Sequence, residues 1–458
     1  IIWKCIIWNT WHGSCLYKRC KRKTGREVTT MILKIELRQH VGAPCNPVVE
    51  VGSEVKKGQL VAQPQGLGAN IHASVYGKVV DITETAILIE ADENQPSEYV
   101  KIKETESNLE AIKEAGIVGA GGAGFPTHVK LNVDLTGGYI IANAAECEPV
   151  LGHNVEFMEK NPEILVKGLK YMLDITKAEK AYIAVKPKYK KSLIALGKAC
   201  KDEKNIEIKY LPDMYPAGDE RVIVRELLGV TLVPGQLPIE AKAVVSNVET
   251  IKRIVEAIED RKPFISKDIT VGGRVKGAEN KGRVFMDVPI GMPIINFIEE
   301  CGGYVKPYGE IVLGGPFTGR HGEEESPVTK TLGGILVSMP LPNETKKLGI
   351  IACECGAQED RLKEIASLMG AEVVAEERCK RMTEVNGRFR CDLPGICPGQ
   401  AEKVLKLKSQ GAEAVLIGNC EDWTNTVMQV APRLGMPVYH STDHVLRASG
   451  HKIYRRKK

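Results

Sequence analysis

The sequence runs to 458 residues, enough for about three or four domains, each with its own core. A hydrophobic content of 43% beside 26% charged residues excludes a disordered or fibrous chain. The formal charge of +5 does not imply a nucleic-acid partner: residues 1–30 carry seven Lys or Arg against Glu27 alone, and the rest of the chain holds 56 basic against 57 acidic side chains.

Residues 1–30 stand apart, holding Trp3, Trp8 and Trp11 out of four Trp in all, and Cys5, Cys15 and Cys20. Their apolar runs are too short to span a bilayer, and no small-residue cleavage site follows them. Trp beside basic residues would suit a membrane surface. The simpler expectation is a non-native lead, with translation starting at Met31. No integral membrane segment is expected anywhere, and without a secretory signal the expected location is the cytoplasm.

Taken in chain order, residues 31–105 alternate short apolar runs with Gly and Pro turns, a β-rich pattern that resembles the lipoyl or biotinyl sandwich-hybrid fold. The expected hairpin tip, GANIHASVYGK, lacks the central Lys of a carrier domain, so its role is read as packing. From 106 to 262, helical segments such as NPEILVKGLKYMLDIT alternate with apolar strands such as GYIIANAA and KAYIAVKP, which predicts a largely parallel sheet flanked by helices. Residues 263–340 read as a small α+β module. Residues 341–458 begin a second strand–helix–strand series, rich in Cys. The expected class is therefore a multidomain α/β protein.

Residues 116–130, GIVGAGGAGFPTHVK, place five glycines in nine positions after a helix. Without Cβ atoms such a run lets backbone N–H groups close on a phosphate, although a merely tight loop gives the same signal. Three further segments accompany it: GYIIANAAECEP with Asn143, Glu146 and Glu148; YPAGDERVIVRELLG with Gly218, Asp219 and Glu220; and VVSNVETI with Asn247, Glu249 and Thr250.

These four motifs, in this order, resemble the FMN- and NADH-binding domain of the flavoprotein subunit of respiratory complex I. With QHVGAPC at 39–45 and the sandwich-hybrid segment ahead of them, they resemble more closely the C subunit of the Rnf electron-transport complex, from about Met31 to residue 340. The resemblance implies that Gly119, Gly121, Gly122 and Gly124 line FMN, that Lys130 faces its phosphate, and that Asn143, Asn247, Thr250 and Gly218 hold its ring. It implies that Phe125 stacks on the adenine of NADH, with Glu146, Glu148, Asp219 and Glu220 on the nucleotide side, and that 263–340 is an SLBB-like β-grasp module. A second aromatic expected shortly after the Lys is missing, since Leu131 and Asn132 follow Lys130.

The ferredoxin-type cysteine sets that follow in the Rnf family are absent from this sequence. Six cysteines stand there instead: Cys353, Cys355, Cys379, Cys391, Cys397 and Cys420. Cys353, Cys355 and Cys420 each follow an apolar strand and precede a helix, which would bring them to one crevice and favour thiolates. Arg378 and Lys380 would act in the same direction. The stretch from Cys391 to Cys420 resembles the small iron-sulfur subunit that couples hydrogenases to heterodisulfide reductase and implies a [2Fe-2S] cluster; redox dithiols and inert core cysteines are the other readings. The layout as a whole resembles the electron-transfer proteins associated with D-proline reductase, a group whose members can carry selenocysteine. Cys45 is a candidate for that position, or an ordinary turn cysteine. Cys147 reads as packing, and His40, His128, His153, His440 and His444 show no zinc spacing.

The expected function is NADH oxidation through FMN, with electrons leaving through the C-terminal cysteines to a partner reductase, D-proline reductase by resemblance. The alternatives are a non-catalytic adaptor that docks a reductase and a membrane-associated Rnf protein of the same family.

Overall fold

The computed structural model describes residues 18–21, 27–419 and 421–454. After a hairpin of Lys18–Lys21 with Glu27–Thr30, alternation along Ile32–Glu36 leaves Leu33 and Ile35 fully buried and Ile32 exposed, the period of two expected of a half-buried strand. This strand joins Ala86–Ala91, Gly77–Ile82 and Glu54–Val55 in a four-stranded sheet. A three-stranded sheet of Asn46–Pro47, Leu60–Gln63 and Ile71–His72 shares its core. The same core takes in Ile269, Val271 and Phe285 from a five-stranded mixed sheet, ordered Arg283–Pro289, Ser266–Gly273, Gly334–Val337, Ile311–Leu313, Arg320–Gly322.

Between these β layers in sequence lies an α/β unit. Tyr139–Ala144, Lys180–Val185 and Ile206–Tyr210 are laid down side by side, and the chain then returns to place Ala243–Asn247 on the other side of the first strand. All three pairings are parallel, and buried Ile140, Ala142, Ile183 and Val244 fit a sheet covered on both faces. The helix Pro162–Thr176 packs Leu165, Leu169 and Met172 into the same core as these strands. Because the winding reverses at Tyr139–Ala144, a crevice opens at the carboxyl ends of this strand and of Ala243–Asn247.

The C-terminal part repeats the device. Its parallel sheet is ordered Val373–Arg378, Leu348–Ala352, Ala414–Ile417, Val438–His440, so the reversal falls between Leu348–Ala352 and Ala414–Ile417. An antiparallel hairpin, Met382–Val385 with Arg388–Cys391, is inserted after the first of these strands in the sheet order. The class is mixed α/β and multidomain. Among the described residues no helix is long and apolar enough to cross a membrane.

A buried ion cluster ties the α/β unit to the mixed sheet. The helix Val248–Val255 turns Arg253, Lys252 and Glu249 toward Lys267, Asp268 and Asp287. Arg253 Nη2 lies 3.0 Å from both Glu249 and Asp268, Arg253 Nη1 lies 2.6 Å from Asp287, and Lys252 Nζ lies 2.9 Å from Asp268. Asp287 closes the cluster at its exposed edge, and the deeper charges of Glu249, Lys252, Arg253, Lys267 and Asp268 are tolerable only because each has opposite partners.

Candidate functional site

The crevice is built by two strand ends and two loops. Asn143 and Asn247 are register partners near the ends of their strands. Asn247 also caps the helix Val248–Val255, accepting from Glu249 N–H at 2.8 Å, which fixes its side chain. The glycine loop crosses above. Ala120 N–H donates to Thr250 Oγ1 at 2.9 Å, and a methyl on Gly121 would lie 2.5 Å from Asn247 Nδ2, so only glycine allows this approach. From the other side, the 215–221 loop brings Gly218, whose carbonyl accepts from Asn143 Nδ2 at 2.9 Å and whose N–H donates to Cys147 Sγ at 3.3 Å.

These parts enclose a cavity of about 740 Å³ lined by Gly119, Gly121, Gly122, Gly124, Lys130, Asn143, Gly218, Asn247 and Thr250, together with Phe125, Asp219 and Glu220. That volume falls in the range of about 300–1,000 Å³ usual for cofactor sites. Gly122 has nothing within 4 Å of a notional Cβ, which leaves its backbone open to the space. Lys130 Nζ lies 2.6 Å from Glu220 Oε1 at the wall. A bare glycine backbone, two fixed amides and one lysine suit a flat polar ring carrying a phosphate.

Glu146 and Glu148 are elsewhere. Glu146 takes φ 30°, and the chain leaves the crevice there. Both residues border a second cavity, of about 640 Å³, with Lys186 and Tyr189. Glu148 accepts from Phe317 N–H and Thr318 N–H, each at 2.9 Å, and from Thr318 Oγ1 at 2.6 Å, so it anchors the mixed sheet. Glu146 accepts from Asn154 Nδ2 at 2.9 Å, and burial pushes its carboxyl up to about 7. Glu249 belongs to the buried ion cluster.

The C-terminal cysteines Cys353, Cys355, Cys379 and Cys391 are buried in one core, with Cys397 packed against it. Cys353 is the neighbour that bears most strongly on the Cys379 thiol. Gln400 Nε2 donates to Cys379 Sγ at 3.1 Å, and Gly399 N–H donates to Cys397 Sγ at 3.2 Å. The Cys353 contact and burial hold the Cys379 thiol well above its ordinary value. Help from Arg378 and Lys380 does not materialise: Arg378 pairs with Glu359 and stacks 3.9 Å from the Phe389 ring, and Lys380 pairs with Glu402. Cys420 lies outside the described residues. Among those described, no three Cys, His, Asp or Glu form a preformed metal-ligand set. Cys45 lies apart, 3.1 Å from His40 Nε2, its thiol pushed up to about 11 by burial.

This cysteine region touches the cavity directly. Glu354, between Cys353 and Cys355, and Arg390, beside Cys391, both line it. Arg221 Nη2 meets Glu354 at 2.9 Å, and Arg221 Nη1 donates to Cys391 O at 2.7 Å. Tyr215 stacks on Phe317 with ring centroids 3.6 Å apart, and its hydroxyl donates to Cys355 O.

Residues 112–256 match the Nuo51 FMN-binding domain, and residues 22–105 match the RnfC barrel sandwich hybrid domain, the latter reaching into the stretch that composition sets apart. The chain is 37% identical, over 70% of its length and 73% of the relative's, to the C subunit of the proton-translocating ferredoxin:NAD(+) oxidoreductase complex of Clostridium ljungdahlii. It is 32% identical, over 68% of its length and 74% of the relative's, to the counterpart from the Na(+)-translocating complex of Acetobacterium woodii. The chain belongs to the RnfC family. A further relative, the cobalamin reductase PduS of Salmonella typhimurium, is 38% identical over 50% of this chain and 49% of its own length.

Membership in the RnfC family makes the chain an electron-transfer oxidoreductase with an FMN-binding domain. Three charged residues at the cavity escaped the sequence reading. Arg221 follows the GDE motif directly and was within reach of it. Glu354 and Arg390 lie in the part of this RnfC homologue where the ferredoxin cysteines are missing, and only tertiary packing brings them to the crevice.

Proposed function

We propose that this RnfC homologue oxidises NADH through FMN held in the 740 Å³ cavity and passes the electrons through its C-terminal cysteines to a partner reductase in the cytoplasm, D-proline reductase being the partner its layout favours. The observation that carries the reading is that Glu354 and Arg390, neighbours of Cys353, Cys355 and Cys391, share a cavity wall with Gly119, Gly121, Gly122 and Gly124.

In this reading the glycine loop presents N–H groups to the flavin phosphate with Lys130 as counter-charge, while Asn143, Asn247 and Thr250 orient the ring. Phe125, Asp219 and Glu220 take the nucleotide, while Glu148 holds the Cys147 segment against the mixed sheet and Glu146 ties it to Asn154. Bound FMN supplies the chemistry of accepting a hydride and releasing electrons onward. The exit is the short path from the 215–221 loop through Tyr215 to the Cys355 carbonyl. There, Cys353, Cys379 and Cys397 act as redox thiols or as ligands of a [2Fe-2S] cluster, the Cys379 and Cys397 sulfurs accepting from Gln400 and Gly399. The functional units are 31–105, 106–262, an SLBB-like 263–340, and 341–458.

The test is an anaerobic absorbance spectrum before and after NADH, with flavin and iron assayed on the same sample. Flavin that bleaches with NADH supports the reading, and iron content then decides between cluster and thiols. A chain that takes up no flavin on reconstitution and does not respond to NADH is an adaptor that docks a reductase without turnover.

A further inference from the structure

The inserted hairpin, Met382–Val385 with Arg388–Cys391, does not merely decorate the cysteine region. It leans on the loop that borders the flavin cavity: a methyl on Gly235 would meet Val385 Cγ1 at 3.2 Å. It is pinned there by Arg221, which donates to Cys391 O at 2.7 Å, and next to it Arg225 donates to Pro394 O at 2.8 Å. One side chain of the hairpin, Arg390, thereby becomes part of the cavity lining.

The pairing of Arg390 is lopsided. Its Nη1 lies 2.7 Å from Glu354 Oε1, and among the described residues its Nε and Nη2 have no acceptor. Glu354 does not depend on it, since the same carboxylate also accepts from Arg221 Nη2 at 2.9 Å and from Cys391 N–H. Arg390 can therefore turn from Glu354 to another anion without stranding a buried charge, whereas Arg221 is held by Glu354, Cys391 O and Asp219 together. The Arg390 side chain is 41% exposed, which leaves it the freedom to do so.

We propose that Arg390 is a dinucleotide-binding residue: the hairpin of the cysteine region closes the nucleotide side of the cavity, and the Arg390 guanidinium takes the diphosphate of the incoming dinucleotide. A guanidinium offers paired N–H donors matched to phosphate oxygens, and of the other cations at the cavity Lys130 serves the flavin phosphate while Arg221 is held by Glu354, Asp219 and the Cys391 carbonyl together. The nucleotide site is then complete only when the cysteine region is docked. Since Arg390 adjoins Cys391, and Glu354 adjoins Cys353 and Cys355, hydride delivery and electron exit share one wall.

This inference rests on the NADH and FMN reading above, and its test separates the two. The full chain and its Arg390→Ala and Arg390→Lys variants are reconstituted with FMN. Bound flavin, thermal midpoint, kcat and KM for NADH with ferricyanide as acceptor, and binding of ADP-ribose by calorimetry are then measured. Losing a charge-assisted contact to phosphate should raise KM for NADH and the ADP-ribose dissociation constant about ten- to a hundredfold in Arg390→Ala, with kcat and flavin content close to those of the parent. Arg390→Lys should recover part of the loss. Unchanged KM and ADP-ribose affinity overturn the proposal. So does loss of flavin with unchanged KM, which would assign Arg390 to the flavin phosphate. If the parent binds flavin and ADP-ribose but is not reduced by NADH, the function reading fails while the calorimetry still decides the role of Arg390.

Discussion

Asn143 and Asn247 stand side by side at the point where the parallel sheet reverses its winding, and their amides are used differently. Asn143 donates to the Gly218 carbonyl, which ties the crevice to the 215–221 loop. Asn247 is spent on its own helix, as a cap, and serves as the floor for the glycine loop above it. The crevice is rigid because each amide is held by a backbone group rather than by another mobile side chain.

Gly121→Ala tests that floor. The added methyl would sit 2.5 Å from Asn247 Nδ2, and the amide cannot swing away without giving up its cap. Overpacking of this kind costs about 1–3 kcal/mol. The FMN dissociation constant, read by quenching of flavin fluorescence, should therefore rise about tenfold or more. Retention equal to that of the parent would mean that the loop does not lie on Asn247 when flavin is bound.

How much of this was legible follows from which residues act locally. The alternation in Ile32–Glu36, the apolar strands of the parallel sheet and the glycine run are short-range signals, and they led to the strand ends that carry Asn143 and Asn247. Glu146 and Glu148 were grouped with Asn143 because they follow it within a few residues. Positive φ at Glu146 and at Val150 redirects that segment, and Glu148 meets the Phe317 and Thr318 amides some 170 positions away in sequence. Glu354 and Arg390 gave no signal at all, since their position depends on the C-terminal sheet docking against the 215–225 segment.

Arg253→Met should destabilise the chain without touching the cavity. Arg253 is 1% exposed and faces buried Glu249 and Asp268, half-buried Glu256 and the more exposed Asp287, so its removal takes a counter-charge from two deeply buried carboxylates. Breaking a buried pair typically costs about 3–5 kcal/mol. Burial opposes ionisation of Asp268 and Asp287, but the Arg253 and Lys252 charges prevail and hold both carboxyls below their ordinary range. A depressed carboxyl stabilises the fold above its unfolded value and loses that contribution as the pH falls. Urea unfolding of the parent should therefore weaken steeply below about pH 4, and in Arg253→Met the weakening should be shallower. Parallel acid profiles would show that the cluster contributes nothing to the pH dependence.

Glu146 has the opposite sign. Burial first, and then neighbouring Glu148, raise its carboxyl to about 7, so the folded chain holds a proton that the unfolded chain has released. The contribution to stability is complete below the ordinary value of 4.5 and is lost as the pH rises toward about 7. Glu146→Gln cannot ionise and keeps an amide for Asn154. Between those two pH values its unfolding free energy should decline less than that of the parent, and coincident slopes would place the Glu146 carboxyl back in the usual range.

Cys379 should be the slow thiol of its group. The Cys353 contact and burial raise it, and the two cations beside it in sequence are occupied by Glu359 and Glu402. Only the thiolate reacts with an alkylating agent. In the reduced, iron-free chain at about pH 8, iodoacetamide followed by peptide mass spectrometry should leave Cys379 unmodified after a free cysteine of ordinary value near 8.5 has reacted. Cys353→Ala removes the first cause of the shift and should speed labelling of Cys379 about tenfold, one unit of acidity being one decade of thiolate. Rapid labelling in the parent would instead mean that the Gln400 donor stabilises a thiolate at Cys379, and that the reduced cysteine region carries its charge on the sulfur nearest Cys353.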